Sequence, residues 1–184
     1  MNNKIDIAVF KWMQAHHNEW ATYFFRDITS FGGVTGSVSV LLFSLGVLFL
    51  LGSFKVMAII GGIFLASSLL TTIIKQVVHR PRPLPYDPDT HIWESAGVDH
   101  FISVPHFCSF PSGHTVSSVV LYSMLALHIG HSFPVLAHYL LGCALGLAAL
   151  VGLSRTYLCA HWASDVLAGY IFGLGFVYLS HWFL

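Results

Sequence analysis

The chain is 184 residues long, 55% hydrophobic and only 9% charged, with a formal net charge of zero. A soluble domain carries about 25% charged residues, so this composition belongs to a protein of the bilayer and the length to a single domain. The balanced charge and the lack of any basic run exclude nucleic acid as an expected partner.

The N-terminus has no short charged start, brief apolar core and small-residue cleavage site, so membrane targeting is expected from the spans themselves. Residues 1–31 mix apolar and polar positions. Ile5, Ala8, Val9, Trp12 and Met13 recur at helical spacing, with Lys4, Lys11 and Gln14 off that stripe. Trp20, Tyr23, Phe24 and Phe25 follow, between His16-His17-Asn18-Glu19 and Arg26-Asp27. This pattern suits an interfacial helical segment at headgroup level, where aromatic rings collect, or a helix packed on a bundle.

No Asp, Glu, Lys or Arg occurs from Ile28 to Phe54, and 34–53 supplies the roughly 20 apolar residues that a span needs. A second uncharged run over 56–74 leads to Lys75. Ser67, Ser68, Thr71 and Thr72 within it read as interhelical packing and hydrogen-bonding groups. Pro81, Pro83 and Pro85 stop that helix. The segment 84–110 carries Asp87, Asp89, Glu94 and Asp99 and is too polar for hydrocarbon, which makes it an extramembrane loop. Its His91, His100 and His106 match no common metal-ligand spacing.

Pro134 at the first turn of a new helix splits the next uncharged run into spans at 114–131 and 134–153. A last span covers 163–184. Gly142/Gly146 and Gly169/Gly173 are GxxxG pairs that predict close helix packing. The fold expected is all-α: a polytopic membrane helix bundle of five spans plus the N-terminal segment, forming one domain over 1–184. Cys108, Cys143 and Cys159 form no CxxC pair. Cys143 reads as a small core residue, and a disulfide between Cys108 and Cys159 is left open.

This topology brings the end of span two, the start of span three and the end of span four to one face. Those places hold Lys75 to Pro83, Pro111 to His114 and Ser154 to Asp165. Ionisable groups at a membrane are costly and read as functional. Lys75, Arg82 and Arg155 together call for an anion, and a phosphate suits their donors. Backbone N–H groups at the start of span three, near Ser112 and Gly113, can face the same anion. His161 and Asp165, four apart, share a face if a helix begins near His161; the carboxylate then holds one imidazole nitrogen and frees the other. A plain helix-end pair is the alternative reading.

Lys75-Gln76-Val77-Val78-His79-Arg80-Pro81-Arg82-Pro83 fits KxxxxxxRP, Pro111-Ser112-Gly113-His114 fits PSGH, and Ser154 to Asp165 fits SRxxxxxHxxxD. With these three motifs in order, the chain resembles the type-2 phosphatidic acid phosphatases, integral-membrane lipid phosphate phosphatases, over residues 75 to about 170. The family commonly has six spans, where five are legible here, and the 27 residues between Pro83 and Pro111 are long for a small member.

The resemblance implies that His161 attacks phosphorus to form a phosphohistidine, with Asp165 orienting its ring. It implies that His114 protonates the leaving oxygen and then activates water, while Lys75, Arg82, Ser112, Gly113 and Arg155 bind the phosphoryl oxygens. No metal or other cofactor is expected, since the cations occupy the role magnesium has in many phosphoryl transferases. The expected partners are the bilayer and a lipid phosphate, phosphatidylglycerophosphate or undecaprenyl pyrophosphate. A lipid phosphotransferase with the same intermediate and an anion transporter or channel are the competing readings.

Arg80 reads as a headgroup-facing surface cation, and Tyr157 and Trp162 as pocket wall or interface anchors. Lys4, Lys11, Arg26 and Arg80 on the site side, against Lys55 on the other, favour a cytoplasmic site. The resemblance implies instead a bacterial inner membrane with the site facing the periplasm, and that is the expectation adopted.

Overall fold

The computed structural model describes residues 3–83 and 108–183. Most of the expected loop 84–110, with its three histidines and four carboxylates, lies outside the described residues. The rest is helical: α1 (Lys4–Ala15), α2 (Glu19–Ser30), α3 (Val34–Leu50), α4 (Phe54–Val78), α5 (Gly113–Ser132), α6 (Ala137–Tyr157) and α7 (Ala163–Ser180). A 3-10 turn at Pro134–Leu136 leads into α6.

Local chemistry sets the breaks. The Asn3 and Asn18 side chains accept the Ile5 and Ala21 N–H groups, capping α1 and α2. Lys75 lies in the last turn of α4, where a cation faces the negative end of the helix. His79 then turns left-handed, with φ 47°, and the prolines at 81 and 83 prevent the helix from resuming.

Among the described residues three helices are long and apolar enough to cross a bilayer alone: α4, α6 with its leading turn, and α7. The helices α2 and α3, bent by 43° at their junction, qualify together as a fourth span. The sequence reading had made 34–53 a span of its own and 114–131 another. The second of these is α5, and its lower hydropathy has a structural reason. It lies at the centre, against α3, α4, α6 and α7, so serines and threonines replace lipid-facing leucines. Thr115, Ser118, Ser123, Val119, Val120 and Met124 are all inaccessible.

Lipid chains are as apolar as leucine, so burial adds little between these helices and close packing has to hold them. A Cβ at Gly169 would lie 2.8 Å from the Ser112 carbonyl oxygen, and one at Gly173 would lie 2.6 Å from Val119 Cβ. These two glycines let α7 lie flat on α5. The Gly142/Gly146 pair does not behave this way, since nothing stands within 4 Å of either added Cβ. Its residues face outward on α6, as does exposed Cys143, and all three cysteines are free.

The N-terminal helices are packed on the bundle. The inward positions of α1 are Asp6, Val9, Phe10 and Met13, while Ile5 and Trp12 are 67% and 58% exposed. The apolar stripe read from the sequence therefore lies about one position out of register with the buried face. The residue it overlooked is the carboxylate Asp6.

Candidate active site

The third motif owes its shape to the way α6 ends. Cys159 takes the left-handed conformation, φ 55°. The Cys159 N–H donates to the Thr156 carbonyl at 3.1 Å, and the Ala160 N–H donates to the Arg155 carbonyl at 2.9 Å. This is a Schellman ending. His161 N–H also reaches the Arg155 carbonyl, at 3.1 Å, so the turn fixes His161 against the last turn of α6, where Arg155 sits.

A helix does not begin at His161. It begins at Ala163, with Trp162 as N-cap and Asp165 as its third residue. Asp165 Oδ2 accepts the Trp162 N–H at 3.0 Å, one half of a capping box. The same oxygen stands 3.6 Å from His161 Nδ1, slightly beyond hydrogen-bond reach. The expected pairing is thus one of proximity, with the carboxylate held by the helix start.

Arg82 follows the proline-stopped end of α4. Its Nη1 donates to the Ala160 carbonyl at 2.7 Å and lies 3.2 Å from His161 Nε2. Guanidinium nitrogens only donate, so this contact puts the lone pair on Nε2 and the ring proton on Nδ1, toward Asp165. Lys75 Nζ donates to the Cys108 and Ser109 carbonyls at 3.1 and 3.4 Å. Trp162 Nε1 donates to the Pro81 carbonyl at 2.8 Å, tying the first motif segment to the third.

The PSGH segment starts α5. Ser112 N–H donates to the Asp165 carbonyl at 3.0 Å, so backbone joins the second motif to the third. Ser112 Oγ accepts from Thr115 Oγ1 at 3.0 Å in full burial.

A cavity of 1230 Å³ gathers Lys75, Arg82, Gly113, His114, Arg155 and His161. Six of the eight expected site residues therefore line one space. Ser112 and Asp165 stand behind it, bonded to their own neighbours. One wall is apolar and lies between α3 and α4, with Val34, Val38, Phe64 and Leu65 beside Ser68, Thr71 and Thr72. Those last three had been read as packing groups. Tyr157 and Trp162 are buried away from the cavity; Tyr157 stacks on His17 with centroids 4.2 Å apart.

His161 is 2% exposed. Burial first, then the positive charges of Arg155, Arg82 and Lys75, holds its pKa well below the ordinary imidazole value. The ring is neutral at physiological pH, as a nucleophile requires. Arg82 Nε and Arg155 Nε are buried and have no hydrogen-bond partner among the described residues. Among the described residues no three His, Cys, Asp or Glu side chains gather in a metal-binding group.

Three participants had no signal in a motif. Thr29 of α2 is buried and its Oγ1 accepts from Arg155 Nη1 at 2.9 Å. Arg80, expected on the surface, is instead paired with Asp165 Oδ1 at 2.6 Å and Asp6 Oδ2 at 2.7 Å. The surface reading fails because buried carboxylates face Arg80 from both sides. A helical stripe at 6, 9, 10 and 13 could have pointed to Asp6, as a lone acid among inward apolar positions. Nothing in the sequence singles out Thr29.

The described residues define a class: a polytopic α-helical membrane bundle whose helix ends gather two histidines and three cations in one cavity. A family model described as the PAP2 superfamily matches residues 55–184, and the chain belongs to that superfamily. It is 31% identical over 117 residues to phosphatidylglycerophosphatase B of Bacillus subtilis, a match covering 61% of this chain and 50% of that protein. It is 32% identical over 114 residues to the lipid A 1-phosphatase of Rhizobium johnstonii, covering 62% of this chain and 42% of that one.

The chain thus spans about half the length of the curated relatives it matches. Among solved structures it is similar to a transmembrane PAP2-type phosphatidylglycerolphosphate phosphatase from Bacillus subtilis. That match has a TM-score of 0.83 at 24% identity, covering 97% of this chain and 83% of the other. LpxE of Aquifex aeolicus matches with a TM-score of 0.73 at 20% identity, covering 98% and 96%. At these identities the likeness is one of fold.

Proposed function

We propose that the chain is a metal-independent lipid phosphate phosphatase working through a phosphohistidine at His161, on phosphatidylglycerophosphate or undecaprenyl pyrophosphate. The observation that carries this reading is the cavity itself. It sets His161 Nε2, with its lone pair free of a proton, beside Arg82 at 3.2 Å, and the same space is lined by Lys75, Arg155 and His114. Its apolar wall between α3 and α4 suits acyl or prenyl chains.

In the first step the Nε2 lone pair forms the P–N bond as the bond from phosphorus to the leaving oxygen breaks. His114 takes up a proton once the anionic phosphate sits among the cations, and gives that proton to the leaving oxygen. In the second step neutral His114 takes a proton from water, whose oxygen attacks phosphorus. The P–N bond then breaks, and inorganic phosphate leaves. Lys75, Arg82, Arg155 and the backbone at Ser112 and Gly113 hold the phosphoryl oxygens, where charge accumulates in the transition state. Asp165 faces Nδ1–H and offsets the positive charge on the ring.

The site is assigned to the periplasmic face. What supports this is the resemblance to bacterial membrane phosphatases; Lys4, Lys11 and Arg26 against Lys55 weigh the other way. Labelling of Lys11→Cys by an impermeant thiol reagent in intact cells, in a Cys143→Ser background, tests the orientation; reaction only after lysis reverses it.

The functional test is phosphate release by purified protein from phosphatidylglycerophosphate, phosphatidate and undecaprenyl pyrophosphate, with chelator and no added acceptor. Release that is lost in His161→Ala supports the reading. Turnover only when a lipid acceptor is added favours a phosphotransferase. Anion flux that survives His161→Ala, with no phosphate released by the wild type, favours a transporter.

A further inference from the structure

Asp6 is 1% exposed, on a helix that lies outside all three motifs. Its Oδ2 accepts from Arg80 Nη2 at 2.7 Å and from the Ser164 hydroxyl at 2.6 Å, and its Oδ1 accepts the Ser164 N–H at 2.9 Å. Arg80 continues the chain of contacts. Its Nη1 donates to Asp165 Oδ1 at 2.6 Å and to Ser164 Oγ at 2.7 Å. The remaining oxygen of Asp165 is the one that stands 3.6 Å from His161 Nδ1. A carboxylate near the N-terminus is thereby joined to the reacting imidazole through one guanidinium and one carboxylate.

Charge explains why the third member is needed. Asp165 and Arg80 alone would form a neutral buried pair, with little field left at His161. A guanidinium bound to one carboxylate only would also be free to draw Asp165 away from the ring. Asp6 occupies the opposite edge of the guanidinium and brings the cluster to a net single negative charge. Burial raises the pKa of the Asp6 carboxyl, but the Ser164 hydroxyl, the Ser164 amide and Arg80 together outweigh burial and hold it below its usual value. The carboxylate is therefore charged when the enzyme works.

We propose that Asp6, acting through Arg80, is a positioning residue for the His161–Asp165 pair: it fixes the guanidinium from α1 so that Asp165 keeps both its place and its negative charge beside the ring. This rests on His161 being the nucleophile. It makes α1 part of the catalytic apparatus, and the phosphate clamp of Lys75, Arg82 and Arg155 is untouched by it.

The test uses the full chain, purified in detergent, with phosphate release from phosphatidylglycerophosphate as readout and melting temperature measured in parallel. Asp6→Asn keeps the side-chain volume and removes the charge. It is expected to lower kcat about 10- to 100-fold, as the loss of outer partners does for ligating histidines, with KM within about twofold. In an Arg80→Gln background the same change is expected to do almost nothing more, since the route to Asp165 is already cut. The exposed neighbour Lys4→Gln is expected to leave kcat unchanged.

A wild-type kcat in Asp6→Asn, or an equal loss with and without Arg80, overturns the proposal. If Asp6→Asn does not fold, Ser164→Ala serves, because it removes the shared hydroxyl and keeps both charges. It is expected to lower kcat severalfold at constant KM, and an unchanged kcat there also overturns the proposal. Full activity in His161→Ala overturns the functional reading and this proposal together. An inactive His161→Ala alongside an unaffected Asp6→Asn removes the Asp6 proposal alone.

Discussion

Thr29 and Arg155 are 126 residues apart in the chain and meet at 2.9 Å, the threonine hydroxyl accepting from Nη1 of the guanidinium. The contact aims a buried cation of α6 from a helix that carries none of the motif residues. Its loss costs a charged hydrogen bond, about 1.5–3 kcal/mol before Arg155 finds another partner. Thr29→Val, which keeps the shape, is expected to raise KM about tenfold, near 1.4 kcal/mol, with a smaller change in kcat. Steady-state kinetics on one lipid phosphate check this.

The buried ring of His161 makes stability depend on pH in a defined direction. Its pKa in the folded chain lies well below the value of about 6.5 expected when unfolded. The unfolded chain therefore takes up this proton first. The contribution is complete above about pH 6.5 and is lost as pH falls below that. The difference in melting temperature between the wild type and His161→Gln is expected to shrink from neutral pH to about pH 5. A constant difference would mean that the ring titrates alike in both states.

In the turn between α2 and α3, Gly32 has no room for a side chain. A Cβ at Gly32 would press on Val151 Cγ1 and lie 2.9 Å from the His114 carbonyl oxygen. Gly32→Ala is expected to displace the start of α5, lowering melting temperature by several degrees and activity by more than about tenfold, as overpacking by one methyl costs about 1–3 kcal/mol. Gly46→Ala, with nothing within 4 Å of the added Cβ, is expected to cost neither. Parallel melting and phosphate-release assays compare the two.

The apolar cavity wall predicts a difference between substrates. Ser68→Trp, placed between α3 and α4, is expected to raise KM for a long-chain lipid phosphate. It is expected to leave a short-chain, water-dispersed analogue within about twofold, because the bulk obstructs the chains and not the phosphate. Equal effects on both substrates would place the acyl chains elsewhere. Because three cationic side chains hold the phosphoryl group in this account, both activities are expected to persist in chelator.

The parts of the site legible in the sequence were those written into local spacing. Lys75 and Arg82, Gly113 and His114, and Arg155 and His161 each sit at a helix end, and counting the spans was enough to bring those ends to one side. The end of α6 was less legible, since a left-handed Cys159 lacks the glycine that ordinarily marks such a turn. The helix starts at Ala163, where the last span was expected to begin, so the condition for an i+4 stack on His161 is not met and Asp165 is a capping group near the ring.

The stripe at 6, 9, 10 and 13 could mark Asp6 as an inward acid, but not that Arg80 and Ser164 meet it; Thr29 with Arg155 leaves no trace at all, since each pairing joins segments far apart in the chain. Arg80 was misjudged for the same reason: its charge was visible, but its partners were not. The central place of α5 was also obscured, as its serines lower its hydropathy while its neighbours bury it.

The most direct test of the central claim is to trap the covalent intermediate. Rapid acid-free quenching of the purified protein with lipid labelled at the phosphate is expected to yield one acid-labile, base-stable phosphoryl adduct, mapped by peptide mass to His161 and absent from His161→Ala. Full phosphate release with no adduct at any quench time, or an adduct that survives His161→Ala, would contradict it.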